Sequence, residues 1–142
     1  MKVMFCRRND LLSHFIRAVT WSSWSHVALL NGETAVEAVW PKVRITTRTQ
    51  LLCYWQDVLE TDLPCSDDVV AWEAALSQVG KPYDWKALFG NLFHNRDWHD
   101  QGQWDCSCLT AWAIGFAGRP LFRSEALTWV TPQHLFMLFP KG

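Results

Sequence analysis

The dipeptide Asn31-Gly32 constrains this chain most, because it lies between two largely apolar runs, Ser25-His26-Val27-Ala28-Leu29-Leu30 and Thr34-Ala35-Val36-Glu37-Ala38-Val39-Trp40. Asn-Gly favours the tight turns of hairpins, so the two runs are expected to pair as antiparallel strands. Lys2 to Cys6 reads as a short apolar strand. After Pro41 the alternating Val43-Arg44-Ile45-Thr46 predicts another strand, and Tyr54 to Leu63 contains one more. Together these segments make a small antiparallel sheet.

Helical patterns separate and follow the strands. Asn9-Asp10 offers an N-cap for Leu11 to Val19, where positions 11, 12, 15, 16 and 19 form one apolar face. Ser66-Asp67-Asp68 has the acidic start of a second helix that runs until Gly80, with Pro82 confirming the stop. A short helix is expected over residues 84–93 and a loop over 95–103. Asp105 to Ala117 reads as a buried helix ended by Gly118-Arg119-Pro120, and Thr131-Pro132 opens a last helical turn through Leu138. The 142 residues fit one α+β domain.

Composition excludes several function classes. An apolar share of 49% against 19% charged residues is the balance of a globular chain. The formal net charge is −1 and no basic run exceeds Arg7-Arg8, which argues against a footprint for nucleic acid or anionic membrane. The N-terminal residues lack a secretory leader pattern and no apolar run approaches the ~18 residues of a membrane span, so a cytoplasmic chain without an integral membrane segment is expected. Five scattered cysteines fit reduced thiols better than a disulfide framework. Ten tryptophans are difficult to bury completely, so some are expected to line a cleft or a partner surface.

The segment Trp104-Asp105-Cys106-Ser107-Cys108-Leu109 places Cys106 at the start of an apolar helix. A thiol there meets unsatisfied N–H groups and the positive end of the helix dipole, which favour thiolate and can help bind an oxyanion. A nucleophilic cysteine needs a base and a group that orients the base. His26, at the edge of a predicted strand after Ser22-Ser23-Trp24-Ser25, has the best context among the five histidines. Glu37 is the one charged residue of the strand paired with it, and so the candidate orienter, although a strand glutamate more often faces solvent.

Three stretches resemble the NlpC-type cell-wall peptidases. Gly80-Lys81-Pro82-Tyr83 is similar to that family's Gly-x-Pro-Tyr segment, Asp105-Cys106-Ser107-Cys108-Leu109 to its Asp-Cys-Ser-Gly-Leu motif, and Ser25 to Gly32 to its histidine strand and turn. Here the histidine precedes the cysteine by 80 residues instead of following it, an order that resembles the circularly permuted, YiiX-like branch and, more distantly, lecithin:retinol acyltransferase. Val130-Thr131-Pro132-Gln133-His134-Leu135 also resembles the Thr-Pro-x-x-Leu element that closes YiiX-like domains. Cys108 departs from both patterns, standing where the permuted branch has glutamate and the unpermuted one glycine.

The resemblance implies a circularly permuted papain-like domain over residues 1–142, a small antiparallel sheet packed against helices with the nucleophile at a helix N-terminus. It implies Cys106 as nucleophile, His26 as base and Glu37 as orienter, with no metal or other cofactor. Tyr83, Trp104 and Trp24 are the candidate substrate-binding residues. The implied activity is that of a cysteine hydrolase on a small-molecule, peptide or acyl-lipid substrate, an acyltransferase being the alternative on the same fold. Two competing expectations are an inactive binding module on the same scaffold and a zinc-stapled loop built from His94, His99, Cys106 and Cys108. Against zinc, the one-residue gap between the cysteines is tighter than usual ligand spacing.

Overall fold

Gly32, at φ +60°, turns the chain between two antiparallel strands, β2 (His26–Asn31) and β3 (Thr34–Val39), with Leu29 opposite Val36 and Leu30 opposite Ala35. The two turn residues are Gly32 and Glu33, because Asn31 still belongs to β2 and faces Thr34. The left-handed backbone at Gly32 costs glycine little, so the glycine, and not the Asn-Gly pair as expected, makes the turn. The computed structural model describes residues 1–86 and 102–139. Within them β1 (Lys2–Arg7), β4 (Lys42–Thr47) and β5 (Asp57–Asp62) complete a five-stranded antiparallel sheet in the order β4-β3-β2-β1-β5. The helices are α1 (Leu11–Thr20), α2 (Arg48–Tyr54), α3 (Asp68–Ser77), α4 (Cys106–Phe116) and α5 (Pro132–Met137), with a 3-10 segment at Ser124–Trp129. The architecture is α+β.

The two faces of the sheet are covered differently. Val3 and Phe5 of β1, Val27 and Leu29 of β2, Val36 of β3 and Val43 of β4 pack with Ala71 and Ala75 of α3 and with Leu109 and Ile114 of α4. Their alternates Met4, Cys6, Ala28, Leu30 and Ala35 pack with Leu51 of α2 beside Trp55 and Val58. A strand covered on both sides reads as an unbroken apolar run, and Val3 to Cys6 is such a run, fully buried.

Two elements differ from the sequence expectation. The first is α2, which was not foreseen. Thr47 and Gln50 form a reciprocal capping box at its start, the Ser/Thr-x-x-Glu/Gln signature that the strand-like Val43 to Thr46 masks. The second is the orientation of α1. The apolar positions that share one face in the sequence pattern do not lie in the core: Leu11 is 91% exposed and Leu12 and Phe15 are also exposed, while Ser13 is buried. The physical reason is that Ser13 Oγ accepts from Arg8 N at 3.1 Å and bonds Ser25 Oγ at 2.7 Å, so the inward side of the helix is satisfied by polar contacts. Of the expected helix over 84–93, Trp85 and Lys86 are helical and residues 87–93 lie outside the described residues, as do residues 95–101 of the expected loop. Among the described residues, no helix is long and apolar enough to cross a membrane.

Helix α2 carries Trp55 at its C-terminal boundary, so its cap bears on the site as well as on stability. Replacing Thr47 with Ala is expected to cost about 1 kcal/mol in urea or guanidinium unfolding, the usual value of a lost N-cap. Thr47→Ser should recover most of it.

Candidate active site

Cys106 reaches its position through backbone stitching. Gly80, at φ +92°, reverses the chain after α3, and its N–H donates to Val43 O at 2.9 Å, while Val43 N–H donates to Lys81 O at 2.8 Å. Tyr83 N–H then donates to Pro41 O at 3.0 Å, Trp104 N–H to Pro82 O at 3.1 Å, and Asp84 N–H to Trp104 O at 3.1 Å. The Gly80 to Asp84 segment therefore ties the outer end of the sheet to the residues that lead into α4. Asp105 caps that helix, accepting from Cys108 N–H at 2.8 Å and from Ser107 Oγ at 2.9 Å. Cys106 is the first residue of α4, and an N–H in that position has no intrahelical acceptor.

His26 is held from the other side. It opens β2, opposite Cys6 of β1, and its approach is fixed because Trp21 ends α1 in the left-handed conformation and Ser25 N–H donates to Cys6 O at 3.1 Å. The imidazole Nε2–H donates to Glu37 Oε2 at 2.7 Å, which leaves Nδ1 as the ring nitrogen that Glu37 does not engage. Glu37 is 2% exposed, so this strand glutamate faces inward, contrary to the usual fate of its residue type. Its other oxygen, Oε1, accepts from Arg44 Nε at 2.9 Å and Nη2 at 2.8 Å. The Trp55 indole stacks on the imidazole, with centroids 5.0 Å apart and planes inclined by 13°.

These contacts define the charge state. Burial alone would lower the His26 pKa, but hydrogen bonding to Cys106 and Glu37, followed by the charges of both, outweighs it and raises the value to about 10. For Glu37, burial acts upward, yet the His26 hydrogen bond and charge and then Arg44 bring its carboxyl below the ordinary range. At neutral pH the pair is imidazolium and carboxylate. Cys108 differs: burial and then the charges of Asp105, Asp84 and Cys106 push its thiol up, so it stays protonated and packed. Burial likewise raises Asp105, against the hydrogen bonds of Cys108 and Ser107 and with added repulsion from Asp84.

Of the residues singled out in the sequence, Cys106, His26 and Glu37 converge, and Tyr83 joins them. A narrow cleft at Cys106 is walled by Ile16, Thr20, Ser25, Tyr83, Val130 and Pro132. Burial, then the charges of Cys106, Asp105 and Asp84, raise the Tyr83 phenol well above its usual value, so it is a neutral hydroxyl. Trp104 and Trp24 are not among the residues walling this cleft. The Trp104 indole N–H donates to Gln78 Oε1 at 3.1 Å and its ring packs on Trp112, while Trp24 packs on Phe5 and Phe136. Their bulk serves the core. Trp21 is solvent-exposed.

His94 and His99, the other half of the zinc expectation, lie outside the described residues. Among the described residues no group of three His, Cys, Asp or Glu side chains is placed to hold a metal ion. Sequence reasoning missed Arg44 and Trp55. Arg44 was legible as the one basic position of the alternating Val43 to Thr46 strand, whereas Trp55 depends on the unforeseen α2. No protein-family model and no curated protein sequence matches the chain.

Stability should follow these two titrations. A histidine raised in the folded state contributes fully below its unfolded value near about 6.5, and the contribution is lost as pH rises through the folded value of about 10. The lowered Glu37 contributes above its unfolded value and loses that contribution as pH falls through the lower folded one. Melting temperature against pH should therefore decline on the alkaline side in the unaltered chain. His26→Ala should melt lower at neutral pH and lack that part of the alkaline decline.

Proposed function

We propose that the chain is a cysteine-dependent hydrolase of circularly permuted papain-like fold, acting on an amide or ester through a covalent acyl-enzyme. The observation that carries this reading is the convergence of Cys106, at the N-terminus of α4, with a His26 side chain already bonded to the buried Glu37. The order of elements supports the fold: the histidine strand comes first, the Gly80 to Asp84 segment ties the sheet to the nucleophile, and the Thr131-Pro132 turn closes the cleft wall.

The chemistry follows from the pair. In the resting pair the thiol proton already lies on His26 as imidazolium, and the Cys106 thiolate attacks the acyl carbon to form a C–S bond. The oxyanion gains its stabilisation from the free Cys106 N–H and the positive end of α4. His26 gives its proton to the departing nitrogen or oxygen as that bond breaks, leaving a thioester and a neutral imidazole. Water then attacks the thioester with His26 as base, releasing the carboxylic acid and restoring the pair. Glu37 holds the ring and offsets the charge of the imidazolium.

The cleft walls contributed by Ile16, Val130 and Pro132 are apolar, and the hydroxyls of Thr20, Ser25 and Tyr83 stand among them. An acyltransferase differs only in the acceptor that replaces water at the second step.

A panel of small γ-glutamyl peptides, N-acyl amides and phospholipids, read by intact mass for an acyl adduct and by product release, tests the proposal. Cys106→Ala should lose both adduct and product. His26→Ala should lower turnover by at least the ~10²–10⁴-fold typical of a lost general acid-base. Glu37→Gln should also lower turnover, because its NH2 must face an N–H donor, Arg44 or His26, and the charge that offsets the imidazolium is lost. Normal turnover in His26→Ala contradicts the assignment.

A further inference from the structure

We infer that Arg44 is a positioning residue of the Cys106–His26 pair: it clamps one oxygen of Glu37 so that the other is fixed on His26, and it governs how readily His26 releases its proton. This inference rests on the catalytic reading of Cys106 and His26. The geometry is a single carboxylate divided between two cations across three adjacent strands. Arg44 stands directly opposite Glu37 in the β3–β4 register, and its Nε and Nη2 both reach Oε1, whereas Oε2 receives His26 Nε2–H. A planar guanidinium fixes a carboxylate in orientation as well as in charge.

The need for such a clamp comes from burial. A carboxylate removed from water and facing an imidazolium alone concentrates its charge on that ring, and the ring then holds its proton too firmly to act as an acid towards a leaving group. Arg44 draws part of that charge to Oε1. The other groups around His26 do not substitute for it. Cys6, its partner on β1, is held protonated by burial and by the charges of Glu37 and Cys106. Trp55, from the end of α2, is uncharged, and Cys106, from α4, bears negative charge when it reacts. Glu37 itself comes from β3.

Arg44 is also accessible. Its side chain is 54% exposed and borders a groove shared with Trp40, Thr46, Gln50 and Tyr54, on the sheet face opposite α4. Truncating it therefore opens no sealed core, and the folded chain should survive the change.

The His26 titration, followed by NMR of the imidazole in the full chain carrying Cys106→Ala, isolates the effect from the thiol. Arg44→Met should raise the His26 midpoint by about one pH unit, the scale of a lost neighbouring charge. Arg44→Lys, which keeps the charge and loses the fork, should return most of that shift, and Arg44→Gln serves in place of Met if thermal melting shows that Met unfolds the chain. A midpoint that stays or falls on neutralising Arg44 overturns the inference. The catalytic reading fails on a separate observation, the absence of an acyl adduct on Cys106 in the unaltered chain.

Discussion

The buried carboxylate of Glu37 is the interaction on which the rest of this structure turns. Taking a carboxylate out of water is costly, and the cost is offset when its oxygens find charged donors in good geometry. Here one oxygen meets His26 and the other Arg44, which requires β2, β3 and β4 to be in one register and no other. A slip of one residue would send Glu37 to the opposite face and leave His26 without its partner. The Gly32-Glu33 turn thus fixes more than a hairpin. It sets the one alignment in which the acid and the imidazole share a face.

The second half of the site arrives by a different route. Cys106 lies 80 residues downstream of His26, and the helix that carries it touches the sheet through Leu109 and Ile114. Packing of that kind fixes the helix body, while the position of its first residue depends on what precedes it. The Gly80 to Asp84 segment supplies that control by backbone hydrogen bonds to Val43 and Pro41 on one side and to Trp104 on the other. Asp105 then sets the start of the helix with its side chain. Cys106 is therefore referenced to β4, the strand that also carries Arg44, so both halves of the candidate site share one frame.

Much of this was legible because local chemistry and tertiary structure agree. The glycine of the β2–β3 hairpin, the acidic caps at Asp10, Asp67 and Asp105, and the Thr131-Pro132 start each act through the backbone within a few residues, although the hairpin turns at Gly32-Glu33 and not at Asn31-Gly32. Glu37 was legible as a candidate through the same hairpin, though its inward face was not. What escaped depends on neighbours distant in sequence. Periodicity found α1 but could not say that Ser13, bonded to Ser25, would turn inward while Leu11 faced water. The rings of Trp24 and Trp104, candidates for a binding cleft, are partly buried and pack on Phe5, Phe136 and Trp112, contacts that composition does not specify. Trp55 reaches His26 from the unforeseen α2, and Arg44, though the one basic position of the alternating Val43 to Thr46 strand, acts on the site only through Glu37, a contact that the strand pattern does not specify.

The central claim is that Cys106 and His26 rest as a reactive pair, and the pH dependence of alkylation tests it most directly. Iodoacetamide modification is followed by peptide mass spectrometry, with exposed Cys53 as the internal reference. Paired with His26, Cys106 should react faster than Cys53 at about pH 6, where an ordinary thiol is almost wholly protonated. His26→Ala should remove that advantage. A Cys106 that is inert, or that merely follows Cys53 as pH rises, contradicts the account.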